Sequence, residues 1–123
     1  SEREKTWLYR NATVYCLPSF SENYGATIQD ALGHGTLTVT TWRTPWHQLE
    51  ALGFGWLADP EVESITAKLA EALSLPTEDR ARRGAGASAW IRQKYSLDEV
   101  IRRQLQLYAW LKGGEKPDFV FTA

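Results

Sequence analysis

The chain has 123 residues, of which 43% are hydrophobic and 24% are charged, which is the size and composition of one globular domain. Its formal net charge of −1 argues against nucleic-acid binding, which needs a basic surface. No apolar run approaches the roughly 18 residues of a membrane-spanning helix, the start of the chain lacks a signal-peptide core, and the single cysteine, Cys16, cannot form an internal disulfide. We therefore expect a cytoplasmic protein that binds no nucleic acid.

The first half of the chain alternates between helix and strand patterns. In chain order, these patterns predict a helix over 2–10, a strand over 12–17, a helix over 24–32, a strand over 36–41, a short helix after Pro45 and a strand over 54–57. Thr44 is predicted to cap the short helix, with Pro45 in its first position. Cys16 is expected to be a small core residue. Five apolar helix residues are predicted to point inward: Trp7, Leu8, Trp46, Leu49 and Leu52.

After Asp59 the pattern becomes wholly helical. Apolar residues recur with a period of 3.6 in two stretches, first at Val62, Ile65, Leu69 and Leu73, and later at Leu97, Val100, Ile101, Leu105, Tyr108 and Leu111. Between them lies a helix that Gly84 and Gly86 are expected to weaken. The predicted fold class is α/β, a partial Rossmann-like three-layer domain with a short parallel sheet of about three strands, followed by a helical C-terminal part.

The segment Pro18-Ser-Phe-Ser-Glu-Asn-Tyr-Gly25 carries the strongest functional signal, because it joins a strand to a helix. Such a turn is where α/β proteins bind phosphate, since free backbone N–H groups and the helix dipole point at the ligand. Two carboxylates accompany it: Glu22 in the turn, and Asp30 after seven intervening residues. Ionised carboxylates do not bind phosphate, but they accept hydrogen bonds from sugar hydroxyls. A ligand that places phosphate at the helix end and hydroxyl groups on either side of it has the structure of a nucleotide-sugar.

The spacing of the two acids fits this interpretation. At ~1.5 Å per residue, eight residues of helix separate them by roughly 12 Å, which is comparable to the span from hexose to ribose. Each of these residues also has a possible structural role without a ligand. Glu22 would only interact favourably with the positive end of the helix dipole, Asp30 would be a solvated carboxylate, and Gly25 would serve the turn alone. His34 is predicted to stabilise the helix C-terminus, and Arg43 to be a solvated loop residue.

The same segment resembles the C-terminal half of the retaining group-1 (family 4) glycosyltransferases, which have two facing Rossmann-like domains. The family pattern is P-S-x-x-E-x-x-G-x-x-x-x-E-A, followed by a glycine and a threonine-rich strand. The matching residues are Pro18, Ser19, Glu22, Gly25, Asp30, Ala31 and Gly35-Thr-Leu-Thr-Val-Thr-Thr41. The chain departs from the pattern at Asp30, which is one methylene shorter than the usual glutamate.

The resemblance implies transfer of a sugar, with retention, from a nucleotide-sugar to a glycan or lipid-linked acceptor. It assigns Glu22 to the donor sugar as the catalytic residue and Asp30 to the ribose hydroxyls. No cofactor beyond the donor substrate is implied, and no metal, since no Asp-x-Asp pair is present. The implied donor-binding residues, several of them acting through backbone N–H groups, are Ser21, Glu22, Asn23, Tyr24, Gly25, Ala26, Thr27 and Asp30.

The resemblance also implies further strands and an acceptor-binding N-terminal domain before Ser1. We therefore expect an inactive C-terminal fragment of a parent enzyme that is cytoplasmic, with peripheral association at the cytoplasmic membrane face as a further expectation. Residues 1–59 would form the second half of a nucleotide-sugar-binding domain, and residues 60–123 would form helices packing on it. A second hypothesis is a non-catalytic binding module that self-associates through an exposed sheet edge. A dinucleotide-binding domain is disfavoured because no G-x-G-x-x-G is present.

Overall fold

The computed structural model describes residues 1–121. Within that range three short strands alternate with helices, and the last three helices follow one another without an intervening strand. The elements in chain order are α1 (Glu2–Asn11), β1 (Tyr15–Leu17), α2 (Ala26–Gly33), β2 (Thr38–Thr41), α3 (Leu49–Leu52), β3 (Gly55–Ala58), α4 (Val62–Ser74), α5 (Thr77–Lys94) and α6 (Leu97–Leu111). None of these helices is long and apolar enough to cross a membrane.

The three strands form one parallel sheet in the order β1-β2-β3. In register, Tyr15 of β1 is opposite Thr38 of β2, which is opposite Gly55 of β3. Parallel neighbours need a crossover, and α2 and α3 lie in the two crossover connections. This arrangement is α/β and Rossmann-like, so the predicted fold class is confirmed. Strands β1 and β2 are shorter than the patterns over 12–17 and 36–41 indicated.

The core surrounds the central strand β2, whose four residues are all buried. Alternate side chains of a strand point to opposite faces, so both faces of the sheet are covered. Helix α2 packs against β1 and β2, while α4 packs against β2 and β3. The largest fully buried apolar side chains are Trp46, Ile28, Leu32, Leu37, Leu49, Leu57 and Val39.

Threonines of β2 and the residues before it use their hydroxyls in different ways. The hydroxyl of Thr36 donates to the carbonyl oxygen of Tyr9, and that of Thr40 donates to the carbonyl oxygen of Leu17 at 2.9 Å. Between them, the hydroxyl oxygen of Thr38 is buried, and among the described residues it has no hydrogen-bond partner. Such a group has left its water hydrogen bonds without replacing them, which destabilises the folded state.

Thr38→Val should therefore stabilise the protein. We expect the free energy of unfolding to rise by about 1 kcal/mol, because a methyl group replaces a hydroxyl that has no partner. Thr40→Val is the matched control: it makes the same change in the same strand but removes the bond to Leu17, and it should lower the free energy of unfolding by about 1 kcal/mol. Urea unfolding followed by circular dichroism measures both. Equal losses in the two variants would mean that a buried water satisfies Thr38.

Several apolar side chains predicted to point inward lie at the surface instead. They are each at least 40% exposed: Trp7, Leu8 and Leu52. Two of the recurring apolar residues of α4, Val62 and Leu73, are exposed as well. In α1, Lys5 and Tyr9 are one turn apart, and they contact Asp30 and His34, so Trp7 is turned away from α2. The prediction was wrong because periodicity gives the spacing of apolar positions and not the face that meets the protein.

The short helix after Pro45 begins later than predicted. Helix α3 starts at Leu49 with Gln48 as its N-cap residue. Thr44 is not the cap, because its buried hydroxyl donates to the carbonyl oxygen of Thr41 at 3.1 Å. Trp46 therefore lies in the loop between β2 and α3. It is buried there, as is Leu49, so their predicted inward orientation is confirmed.

Helix α5 continues through Gly84 and Gly86, so the predicted weakening does not interrupt it. A Cβ atom on Gly84 would lie 2.2 Å from the carbonyl oxygen of Gly35. One turn later, the hydroxyl of Ser88 donates to the carbonyl oxygen of Gly33 at 2.8 Å. The glycine that looks like a weak point of the helix is thus a point of close packing against the segment between α2 and β2.

The chain divides into two compact units, residues 1–91 and residues 92–123. The first unit contains the sheet, helices α1 to α4 and most of α5.

In the second unit, the carboxylate of Glu99 bonds to Arg102 and Arg103, and these bonds lower its pKa to about 2. The apolar stripe of α6 is exposed: Leu97, Val100, Ile101, Leu105, Tyr108 and Leu111. The proposed boundary between residues 59 and 60 stays a prediction.

Candidate functional site

The candidate site lies at the carboxyl edge of the sheet. Three loops leave the strands at this edge: residues 18–25 after β1, residues 42–48 after β2 and residues 59–61 after β3. In open α/β sheets, ligands bind in the crevice outside the carboxyl ends of the strands. The predicted site residues belong to the first of these loops, which we call the β1–α2 loop (residues 18–25), and to the helix α2 that follows it.

Hydroxyl groups of the central strand hold the start of the β1–α2 loop. The hydroxyl of Thr40 donates to the carbonyl oxygen of Leu17, and the hydroxyl of Thr41 donates to the carbonyl oxygen of Ser19. The amide of Ser19 also donates to the Leu17 carbonyl at 3.0 Å. The threonine-rich strand therefore fixes the path of the loop as it leaves the sheet.

Glu22 is half-buried within this loop. The hydroxyl of Ser19 lies 3.1 Å from Oε1 of Glu22 and 3.0 Å from the carbonyl oxygen of Ser21, so it can donate to either. Within residues 1–121, the other carboxylate oxygen, Oε2, has no hydrogen-bond partner, and no side chain caps α2. Glu22 thus combines an oriented carboxylate with one open acceptor atom, and it is not a helix cap.

The N-terminus of α2 is open to solvent. The helix begins at Ala26 rather than Tyr24, and its N-cap is Gly25, which has a left-handed backbone with φ 75°. Ala26 and Thr27 are exposed, as are Ser21 and Asn23 in the preceding loop. Since Glu22 precedes the helix, the estimate of roughly 12 Å between the two acids from helical rise does not hold.

Gly25 meets a steric requirement as well as a conformational one. A Cβ atom at this position would lie 3.2 Å from Cδ1 of Ile28 and 3.2 Å from Nε1 of Trp46. The missing side chain would therefore point into the protein. These observations support the interpretation that Gly25 serves the turn, while approach of a ligand to its backbone stays a prediction.

Trp46 anchors the end of the β1–α2 loop, a role that the sequence did not reveal. Its indole N–H donates to the carbonyl oxygen of Tyr24 at 2.5 Å, and the two rings lie 5.6 Å apart. The hydroxyl of Tyr24 donates to the side-chain oxygen of Gln29. The sequence identified Trp46 only as a core residue, since no local pattern links it to a loop 22 positions away.

Asp30 pairs with Lys5 of α1. The ammonium nitrogen of Lys5 lies 2.7 Å from Oδ2 of Asp30, and this hydrogen bond and the charge of Asp30 raise the pKa of Lys5. Across the described part of the chain, Glu22 and Asp30 make no hydrogen bond to each other, so the structure brings Asp30 to Lys5 and Glu22 to Ser19. No pattern in the sequence pointed to Lys5, because its contact with Asp30 depends on how α1 lies against α2.

The other residues that the sequence analysis considered are His34, Cys16 and Arg43, and their surroundings are those of structural or solvent-exposed residues. Nδ1 of His34 lies 2.7 Å from the carbonyl oxygen of Asp30, and its ring stacks on Tyr9 at 5.5 Å, which agrees with the predicted structural role. Cys16 is half-buried, and burial raises the pKa of its thiol. Arg43 is exposed. In residues 1–121, no group of three His, Cys, Asp or Glu side chains could hold a metal ion.

Comparison with known proteins identifies the family. The family described as glycosyl transferases group 1 matches residues 1–90. A sucrose-phosphate synthase structure from Thermosynechococcus elongatus matches with a TM-score of 0.70 and 19% sequence identity, over 89% of this chain. The match spans only 28% of that synthase. None of the curated protein sequences matches the chain. The match over residues 1–90 shows that this chain belongs to the group 1 glycosyl transferase family.

Proposed function

We propose that the chain is the C-terminal, donor-binding part of a retaining family 4 glycosyltransferase. The parent enzyme transfers a sugar from a nucleotide-sugar to a glycan or lipid-linked acceptor in the cytoplasm, and this chain alone is inactive. The observation that carries the proposal is the β1–α2 loop, in which Glu22 is oriented beside the open N-terminus of α2. Family membership supports the same reaction class.

Each part of the site has a distinct role in this proposal. The open oxygen of Glu22 accepts hydrogen bonds from hydroxyls of the donor sugar, and Asp30 accepts from the ribose. The exposed amides at the start of α2 receive the diphosphate, because the helix dipole favours an anion there. Tyr24 forms a wall of the sugar pocket, Asn23 donates to the donor through its backbone N–H, and Ser21 also contacts the donor. Catalysis then depends on positioning and on stabilising the departing diphosphate, with no cofactor beyond the donor.

Calorimetric titration tests the proposal. The chain is titrated with UDP, GDP and ADP and with their sugar conjugates, using Glu22→Gln and Asp30→Asn as test variants. Each variant should weaken binding of the preferred sugar conjugate about tenfold or more, since each removes a charged hydrogen-bond acceptor. With the free diphosphate, Asp30→Asn should have the same effect and Glu22→Gln a small one, because only the sugar contacts Glu22.

Glu78→Gln is the control variant. Glu78 is an exposed acid in the first turn of α5, and it belongs neither to the β1–α2 loop nor to α2. Its removal should leave binding unchanged. Flat titrations with every nucleotide would contradict the proposal and favour the second hypothesis, a self-associating module. Among the described strands, β1 pairs only with β2, so its other edge is available for pairing, and sedimentation velocity would then detect a dimer.

A further inference from the structure

Lys5 forms a solvent-accessible pair with the acid that is proposed to bind ribose. Its Nζ lies 2.7 Å from Oδ2 of Asp30, and the side chains of Lys5 and Asp30 are 43% and 37% exposed. The second oxygen of Asp30, Oδ1, has no hydrogen-bond partner in residues 1–121. The pair therefore closes one side of the carboxylate and leaves the other side open to a ligand.

The open side of this pair has the hydrogen-bonding properties that a sugar hydroxyl requires. A hydroxyl group is at once a donor and an acceptor. An ammonium group has three N–H donors, of which the contact with Asp30 uses one. A second acid, Glu2, lies 4.0 Å from the ammonium, at the limit of an ion pair. Lys5 thus has donor capacity left next to the open acceptor atom of Asp30.

We propose that Lys5 recognises the ribose of the nucleotide together with Asp30. Asp30 accepts a hydrogen bond from one of the two adjacent ribose hydroxyls through Oδ1, and the ammonium of Lys5 donates to the oxygen of the other. Lys5 also orients the carboxylate by holding Oδ2. This inference rests on the proposed function, because the ligand is the ribose of the same donor.

A role for Lys5 in binding differs measurably from a role in folding. Exposed ion pairs contribute little to stability, so Lys5→Met should leave the thermal unfolding temperature close to that of the wild type. The ligand to use is the one of UDP, GDP and ADP that binds most tightly. It is compared with its 2′,3′-dideoxy form, which has the same base and diphosphate but lacks both ribose hydroxyls.

Lys5→Met should weaken binding of the ribonucleotide about tenfold and leave binding of the dideoxynucleotide unchanged. Lys68→Met is the matched control: Lys68 is also ion-paired, with Glu50 at 3.3 Å and Glu71 at 3.6 Å, but it lies on α4. This control should alter neither affinity. Combining Lys5→Met with Asp30→Asn should weaken ribonucleotide binding by less than the product of the two single effects, since the residues act on the same ring.

The outcomes separate this inference from the function on which it rests. If Asp30→Asn weakens ribonucleotide binding while Lys5→Met does not, or makes it tighter, the inference is wrong and the proposed function stands. An equal loss for both ligands would mean that Lys5 acts on the diphosphate through its charge, which also overturns the inference. Absence of binding by the wild-type chain would overturn both.

Discussion

Gly84→Ala should lower the free energy of unfolding by about 3 kcal/mol. The added Cβ atom would lie 2.2 Å from the carbonyl oxygen of Gly35 and 3.1 Å from its carbonyl carbon. These are backbone atoms, which cannot rotate away as a flexible side chain would. Helix α5 would have to move outward, and the bond between Ser88 and Gly33 would be stretched. The gain in helix propensity from glycine to alanine, about 1 kcal/mol, is too small to offset this.

Gly86→Ala is the control for this effect, because it adds the same methyl group to the same helix. Its Cβ would lie 3.2 Å from Cε1 of Phe54, a ring atom that can shift. We expect its free energy of unfolding to stay within about 1 kcal/mol of the wild type. Urea unfolding followed by circular dichroism measures both variants. If the two have the same midpoint, α5 does not pack closely against Gly35 in solution.

Trp46→Ala should lower the free energy of unfolding by about 4 kcal/mol. The indole is 2% exposed and contacts the rings of Tyr24 and Trp90, at 5.6 Å and 6.3 Å. Trp46→Phe keeps most of this apolar burial but removes the N–H that bonds to the carbonyl oxygen of Tyr24. We expect this milder change to lower the free energy of unfolding by about 1–2 kcal/mol.

Trp42→Ala provides the comparison, since Trp42 belongs to the same loop but is 47% exposed. Its effect on the free energy of unfolding should stay below about 1 kcal/mol. Thermal and urea unfolding of the three variants give the ranking. A Trp42→Ala protein as unstable as Trp46→Ala would show that the loop as a whole, and not the buried indole, stabilises this region.

The main elements of the sheet could be predicted from the sequence because their signals are local. In the segment before and within β2, Leu37 and Val39 alternate with threonines, and Gly53 ends the helix before β3 with a left-handed backbone. Turn residues and the alternation of apolar with polar residues each involve only a few neighbouring positions. They can therefore be recognised in the sequence without knowledge of the tertiary contacts. The orientation of α1 depends instead on contacts with α2, and for that reason the inward placement of Trp7 and Leu8 was wrong.

The contacts of the candidate site also fall into two groups, those within the sequence motif and those that depend on the packing of another helix. The partner of Glu22 is Ser19, three positions away and part of the same motif. The partner of Asp30 is Lys5, which another helix supplies, and no spacing within the motif points to it. The separation of the acids could not be taken from helical rise, because α2 begins only at Ala26, after Gly25 with its left-handed backbone.

Hydrogen bonds hold the β1–α2 loop at its start, middle and end, and this has a consequence for any ligand that binds to it. Hydroxyls of Thr40 and Thr41 hold its start, Ser19 holds its middle, and the indole of Trp46 holds its end. The conformational entropy of these residues is therefore lost when the protein folds, and binding does not have to remove it again. Affinity and stability become coupled through this preorganisation. A substitution deep in the central strand can loosen the loop and weaken ligand capture without touching the ligand.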